Sequence, residues 1–311
     1  MPDKQEHVRI VMAVYNGALC LLPQLESIAQ QSHRNWSILI SDDGSTDHSL
    51  EIIDAFKHDN PTHQITCVGG PKLGFAQNFV SLLRRAPIDE SYLAFSDQDD
   101  VWLNDRLARG LEALKLVGPN RPALFCSRTW VTDANLGHRR LSTSRNRPPG
   151  FLNALVQNIA AGNTILLNPA ARQLVCAASH EVGDLVAHDW WVYQIVSGAG
   201  GQVIHDPTPT VLYRQHPSNQ IGANDGFLAY VRRIGLVLDK TYRSWNAVNI
   251  AALNASIHRL TAENREILKQ FCLMREDKLW PSLRRLRQIG LYRQTSASTS
   301  ILWLAAVLKR L

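Results

Sequence analysis

Tyr92-Leu93-Ala94-Phe95-Ser96-Asp97-Gln98-Asp99-Asp100-Val101-Trp102 is the stretch that decides how this chain folds. A short apolar run enters it, and a helical pattern leaves it, with Leu103, Leu107, Leu111 and Leu114 near helix spacing. Three carboxylates therefore sit on the turn after a buried strand, where an open α/β sheet places its ligand sites. Like charges gathered so closely repel one another, and an isolated fold gains nothing from them. A solvated loop whose Asp caps the next helix accounts for one of the three, not for all. A hard, oxygen-binding cation, Mg²⁺ or Mn²⁺, removes the repulsion, and Mg²⁺ usually takes one or two carboxylates plus substrate phosphates.

The flanking sequence repeats the pattern of strand, polar turn and amphipathic helix. Val8 to Tyr15 is rich in β-branched residues and ends at Asn16-Gly17. Leu22, Leu25, Ile28 and Ala29 mark the helix that follows. Trp36 to Ile40 is a second strand, ending in Ser41-Asp42-Asp43-Gly44-Ser45-Thr46-Asp47, where Ser45 or Thr46 is suited to cap the next helix. Ile65 to Val68 is a third strand; Gly74 opens a helix through Phe75, Phe79, Leu82 and Leu83. Ala123 to Ser127 is a fifth strand and Asn163 to Leu167 another. Such alternation implies right-handed crossovers and an α/β fold with a mostly parallel sheet flanked by helices. Parallel strands share their carboxyl ends, so the acidic turns at Asp43 and Asp99 are expected to face one cleft.

Composition divides the chain in two. Residues 1–226 carry 18 Lys/Arg against 22 Asp/Glu, whereas residues 227–311 carry 15 against 5. The C-terminal part should therefore meet something anionic. Its pattern is helical, with Phe227, Val231, Ile234 and Leu238 on one face and Leu283, Leu286 and Ile289 on another. The closing run Ile301 to Leu311 is too short to span a bilayer; it suits either an interfacial anchor or a helix packed on the core. We assign residues 1–225 to an α/β domain and 226–311 to a basic helical region suited to a membrane surface. The five cysteines are scattered without metal spacing and read as small buried hydrophobes in a reducing cytosol. The polar N-terminus is not expected to be a signal peptide. Arg139 to Gly150 reads as a mobile loop, and His33, His58 and His138 as solvated.

Five motifs occur in order: Val11-Met12-Ala13-Val14-Tyr15-Asn16, Ser41 to Asp47, Asp97-Gln98-Asp99-Asp100, His188-Asp189-Trp190-Trp191 and Tyr213-Arg214-Gln215-His216. With these the chain resembles a family 2 glycosyltransferase of GT-A (Rossmann-like) fold, close to the bacterial rhamnosyltransferase-like branch. The resemblance runs from about Val8 to about Gly222 and leaves the helical tail unexplained.

The resemblance implies roles. Asp43 would accept from the imide of a pyrimidine nucleotide, which a carboxylate can discriminate because it only accepts. Ala13 and the Tyr15 ring would flank the base; Asn78 would touch the nucleoside and Lys72 a phosphate. Asp99 would be the chief ligand of Mg²⁺ or Mn²⁺, Asp97 would reach ribose or a metal-bound water, and Asp100 would support from behind. His216 would close the metal shell, or be a hydrogen-bonded structural residue. Asp189 would be the general base of an inverting displacement, against the plainer reading of a charge at a helix N-terminus. Trp190 and Trp191 would wall the acceptor, although adjacent helical residues do not share a face, so one of the two belongs in the core.

The expected activity is transfer of a sugar, L-rhamnose from dTDP-L-rhamnose first and another UDP- or dTDP-sugar second, to a cell-surface glycan or lipid-linked acceptor. The protein would be cytoplasmic and peripheral on the inner membrane face, in contact with anionic lipid. A nucleotide-sugar-binding scaffold without turnover is the rival. Nucleic-acid binding through the basic tail is set aside, because the tail lacks interleaved aromatics or a known module.

Overall fold

A computed structural model describes residues 6–87, 89–215 and 241–311. His216 and the apolar face from Phe227 to Leu238 lie outside the described residues. The sheet begins with β1 (Val8–Val14), β2 (Trp36–Asp42), β3 (Ile65–Gly69) and β4 (Tyr92–Ser96). These pair in parallel in the order β3-β2-β1-β4. The crossovers are α1 (Leu21–Ala29), α2 (Ser49–Asp59) and α3 (Phe75–Arg85).

Beyond β4 the sheet becomes mixed. A two-residue strand β5 (Val101–Trp102) and helix α4 (Arg106–Lys115) precede the long β6 (Ala123–Thr132). β7 (Arg140–Leu141), helix α5 (Phe151–Ala154), β8 (Leu166–Leu167), α6 (Pro169–Ser179), α7 (His188–Gly198) and β9 (Gln202–Arg214) follow. The full order is β3-β2-β1-β4-β8-β6-β9-β5, with β7 on β6. β8 runs antiparallel to β4 and β6, β9 runs parallel to β6, and β5 pairs antiparallel with β9. The expected strand at Asn163 is instead a 3₁₀ turn, Gly162–Thr164, before β8.

Side-chain alternation assigns the two faces. Along β1, Val8, Ile10, Met12 and Val14 point to one core, with Leu25 and Ile28 of α1, Phe56 of α2 and Leu111 of α4. Val11 points to the other, as do Leu93 and Phe95 of β4, with Phe79 of α3 and Trp191 of α7. Period two along the strands thus buries both faces, as a sheet covered by helices requires. The chain continues through α8 (Thr241–Ala255), α9 (Ala262–Glu276), α10 (Leu279–Ile289) and α11 (Ser296–Val307). Leu253, Phe271, Leu286 and Leu302 join the same core as Phe79 and Trp191. The terminal helix therefore buries Ile301, Leu302, Ala305 and Ala306, while Leu304, Val307 and Leu308 stay exposed.

Local chemistry fixes several helix ends. Asn168 accepts from the Ala171 amide with Pro169 in the first turn, Thr295 and Ser298 form a reciprocal capping box, and Gly290 takes the left-handed conformation that ends α10. Neither Ser45 nor Thr46 caps α2, because Ser45 Oγ accepts from the Asn16 amide; Asp47 Oδ1 accepts from the Ser49 amide instead. The stretch read as a mobile loop is pinned: Arg128 donates to the Ser142 carbonyl, and Arg147 stacks over Tyr292 at 4.2 Å. His33 is buried, its Nε2 at 2.8 Å from the Glu6 carbonyl, whereas His58 and His138 are exposed. The cysteines are all unpaired; Cys126 is buried and the other four are half-buried. No helix among the described residues is long and apolar enough to cross a membrane.

A shared core predicts shared unfolding. Leu253→Ala, a cavity at a fully buried position of α8, should cost about 2–5 kcal/mol and shift the single unfolding transition of the whole chain. Two transitions, of which only one moves, would contradict a common core.

Candidate active site

The strand register places the acidic turns. Val14 at the end of β1 pairs with Asp42, and Met12 pairs with Ser96. The carboxyl ends of β1, β2 and β4 are therefore level, and Asp43 and Asp97 leave the same rim on either side of β1. Two interstrand spacings separate them by roughly 10 Å. An open depression lined by Asp54, Lys57, His58 and Ile65 lies at the opposite ends of the strands and shares none of these residues.

At the β2 end, Asp42 and Asp43 divide the labour. Asp42 Oδ2 accepts from the amides of Gly44 (3.1 Å) and Ser45 (3.0 Å) and forms the turn. Asp43 accepts from the amides of Lys72 (2.6 Å) and Gly74 (3.0 Å), so the loop before α3 is folded around its carboxylate. A carboxylate has about four acceptor sites, which leaves capacity for a ligand donor. Asn78 is 1% exposed and donates to the Ser41 carbonyl at 2.9 Å. Its amide therefore stands behind Asp43, with Oδ1 buried and without a hydrogen-bond partner. The Lys72 side chain is exposed and crosses Gly44.

Tyr15 is tied to the acidic turn. Its amide donates to Gln98 Oε1 (2.8 Å), and Gln98 Nε2 returns a bond to its carbonyl (3.0 Å). The ring is 57% exposed and available at the rim, one residue past the end of β1. Ala13 sits within β1, half-buried, opposite Ser41.

The acidic turn splits into inward and outward groups. Asp100 is fully buried; its carboxylate accepts from Asn163 Nδ2 (2.6 Å) and from the Arg214 amide (3.2 Å). The Arg214 guanidinium donates to the Asp99 carbonyl (2.8 Å) and to Ala134, which locks β9 against the turn. Asp97 and Asp99 remain partly accessible. Burial, with Asp99 and Asp189 as like-charged neighbours, pushes the Asp97 carboxyl up to about 8. Burial and the same neighbours Asp99 and Asp97 raise Asp100 as well.

Arg106 supplies the internal counter-charge. It is buried, stacks 3.5 Å over the Trp102 ring, and donates to the carbonyls of Asn163 (2.8 Å), Phe95 (3.1 Å) and Ile165 (3.3 Å). Burial lowers it to about 9, and Asp100 and Asp97 pull against that shift. Its sequence position, in the first turn of an amphipathic helix, reads as an ordinary exposed charge, so sequence reasoning missed it.

Asp189 opens α7 and reaches the same group of acids. Its Oδ1 accepts from the Trp190 amide (2.7 Å) and its Oδ2 from the Gly162 amide (3.1 Å), with Asn158 a further partner. Burial raises it to about 6 against those bonds. A Cβ on Gly162 would lie 2.9 Å from His188 Nε2, so only glycine lets this amide approach. His188 stacks on Phe79 at 3.8 Å, and burial lowers it to about 3, which keeps it neutral.

The tryptophan expectation is corrected. Trp191 is 0% exposed within the core. Trp190 is also buried, its indole N–H donating to the Ala154 carbonyl (2.7 Å) and its ring edge-on to Trp245. The one-turn geometry at the start of α7 spends both rings on packing.

Among the described residues, no group of three or more His, Cys, Asp or Glu is arranged to hold a metal by itself. The Asp97 and Asp99 pair fits a different demand. A hard cation completed by phosphate oxygens and water would relieve the repulsion that Asp99 exerts on Asp97.

Comparisons with known proteins agree with this fold. The sequence model of the family described as Glycosyl transferase family 2 matches residues 9–173. The chain is 30% identical over 238 residues, 75% of its own length and 81% of the relative's, to the dTDP-rhamnosyl transferase RfbG of Shigella flexneri. Its fold matches the mannosyltransferase PcManGT from Pyrobaculum calidifontis in complex with GDP-Man and Mn²⁺, with a TM-score of 0.54 at 17% identity, over 99% of this chain and 81% of that one. It also matches S. aureus TarS 1-349 in complex with UDP-GlcNAc, at 0.52 and 13% identity, over 91% and 80%.

Gly70 tests the Asp43 cradle. An added Cβ would lie 2.7 Å from Asp43 Oδ1 and 3.0 Å from the Asp42 carbonyl. Gly70→Ala should cost about 1–3 kcal/mol in denaturant unfolding through overpacking. A variant as stable as the parent would show that the loop is not clamped on Asp43.

Proposed function

The chain belongs to glycosyl transferase family 2, and from that premise we propose an inverting, rhamnosyltransferase-like enzyme that uses dTDP-L-rhamnose or a related UDP- or dTDP-sugar. The acceptor is a hydroxyl of a cell-surface glycan, carried on a lipid at the inner face of the cytoplasmic membrane. The observation that carries the reading is the electrostatic grouping of Asp97, Asp99 and Asp189 on one rim, level with Asp43 across β1. The dTDP-rhamnosyl transferase relative supports the donor.

In this reading the nucleoside lies along the rim. Asp43, already held by two amides, takes the pyrimidine imide N–H on a remaining lone pair, and the exposed Tyr15 ring covers the base. The diphosphate then extends over β1 toward Asp97 and Asp99. These two side chains would hold Mg²⁺ or Mn²⁺, a reading that the Mn²⁺ in the mannosyltransferase neighbour supports, and His216 is a further candidate ligand. The cation, when bound, offsets the charge that develops on the departing diphosphate.

Asp189 does the proton chemistry. The acceptor oxygen forms a bond to the anomeric carbon as the bond to the donor's phosphate oxygen breaks. The electron pair leaves with the diphosphate, and the acceptor proton passes to a carboxylate oxygen of Asp189. The amides of Gly162 and Trp190 fix that carboxylate in place. His188, held neutral in its aromatic sandwich, takes no part in proton transfer.

Four outcomes test this reading. Released nucleoside diphosphate should appear with one of the dTDP- or UDP-sugars and vanish on chelation; no release with any donor and acceptor would contradict it. Asp189→Asn should lower kcat by about 10²–10⁴ with donor affinity unchanged. In the parent, kcat/KM should fall as pH drops below about 6, where the base becomes protonated. An activity flat from pH 5 to pH 8, or an active Asn variant, would remove Asp189 from the role. Finally, a carboxyl raised to about 8 is mostly protonated at neutral pH. Cation binding should therefore release close to one proton, and apparent affinity should rise with pH up to about 8. Titration calorimetry in buffers of different ionisation enthalpy reads this directly; a heat independent of buffer would contradict it.

A further inference from the structure

The end of the helical extension carries an exposed face that neither the core nor the site explains. Trp280 on α10 is 79% exposed, beside exposed Leu279. On α11, Leu304, Val307 and Leu308 recur at helical spacing and stay exposed, although the opposite face of that helix is buried. Two contacts bring the helices' ends together: the Lys309 ammonium donates to the Asp277 carbonyl, and Arg275 Nε donates to the Leu311 carbonyl at 2.9 Å. The exposed end of α11 therefore lies against the turn that begins α10, three residues from Trp280.

The charge around this apolar patch is predominantly basic, with exposed Glu276 an acid at the end of α9. Trp280, Arg284 and Arg287 follow at positions i, i+4 and i+7 of α10, a single stripe opposite the buried Ser282 and Leu286. Lys278 flanks the stripe. These three cations form no ion pair among the described residues, whereas the acid at Asp277 is matched by Arg285 at 2.8 Å. A partner for this face must be anionic over a broad area and must accept an indole and several aliphatic side chains. An aromatic ring rimmed by basic residues is the arrangement that sits at the boundary between headgroups and acyl chains.

We infer that this α10–α11 face docks the enzyme on the anionic surface of a lipid bilayer. The docking face is mechanically joined to the catalytic rim. Arg243 of α8 donates to the Lys309 carbonyl (3.2 Å), and the neighbouring Tyr242 hydroxyl donates to the Val156 carbonyl. Arg293, before α11, also reaches Val156 (2.9 Å), and the Gln294 amide donates to Gln157 (2.8 Å). The next residue, Asn158, is a partner of the Asp189 carboxylate. A bilayer under α10 and α11 would thus hold the segment that orients Asp189 at a fixed distance from the lipid. The inference draws its purpose from the lipid-carried acceptor of the preceding section, but its test does not depend on turnover.

Co-sedimentation of the full chain with sugar-free vesicles reads the docking alone. Binding to phosphatidylcholine–phosphatidylglycerol vesicles should exceed binding to pure phosphatidylcholine and weaken as salt rises from about 0.1 M to about 0.5 M. Arg284→Gln with Arg287→Gln should weaken it about 25-fold, since each basic residue near an anionic surface contributes about fivefold. Trp280→Ala should weaken binding with little change in its salt dependence. These positions are exposed, so melting temperature and nucleoside diphosphate release by the variants should match the parent. Equal binding to neutral and anionic vesicles, or variants that bind like the parent, would overturn the inference. So would a Trp280-dependent dimer, or Arg-dependent retention on nucleic acid, in a chain that ignores vesicles. Vesicle binding without turnover of any donor would instead sink the transferase reading and leave the docking intact.

Discussion

The structure turns on the repulsion among carboxylates gathered after β4. Asp99 and Asp189 lie close enough to Asp97 to raise its proton affinity, and Asp99 and Asp97 do the same to Asp100. The fold tolerates them through fixed polar partners: the buried Arg106 beneath the turn, the Asn163 amide and Arg214 amide on Asp100, and the Gly162 amide on Asp189. These partners stabilise Asp100 as a structural group. A hard cation would relieve the repulsion among these carboxylates.

The scaffold sets the geometry of that site. Level strand ends put one acid on each side of β1, and the bond pair from Gln98 to Tyr15 ties the exposed ring to the acidic turn. β9 closes the arrangement, because Arg214 at its end reaches both Asp99 and Asp100. The C-terminal helices brace the opposite flank through Tyr242, Arg293 and Gln294, which hold the segment leading to Asn158.

Much of this was legible in the sequence. β1 to β4 are dense in β-branched and apolar residues with turn signals after each, so their existence and parallel sense followed directly. The acidic turns stood out because like charges need a reason. What stayed hidden depended on contacts far along the chain. Gln98 and Arg106 carry no local signal of their partners, 83 residues away at Tyr15 and 57 at Asn163. The strand expected from Asn163 forms only at Leu166–Leu167, because Gly162–Thr164 turns as a 3₁₀ helix. Trp190 and Trp191 look like sugar-stacking residues by type, yet the residues at the start of α7 face Ala154, Trp245 and the core. Asn78 has the right chemistry for a nucleoside, and its amide also donates to the Ser41 carbonyl.

The most direct test of the account is a crystal structure with a uridine or thymidine diphosphate and Mn²⁺, using anomalous scattering to place the ion. The account predicts an anomalous peak bridging the diphosphate and the side chains of Asp97 and Asp99, with the base between Tyr15 and Asp43. A manganese peak and nucleotide bound away from this rim would contradict it.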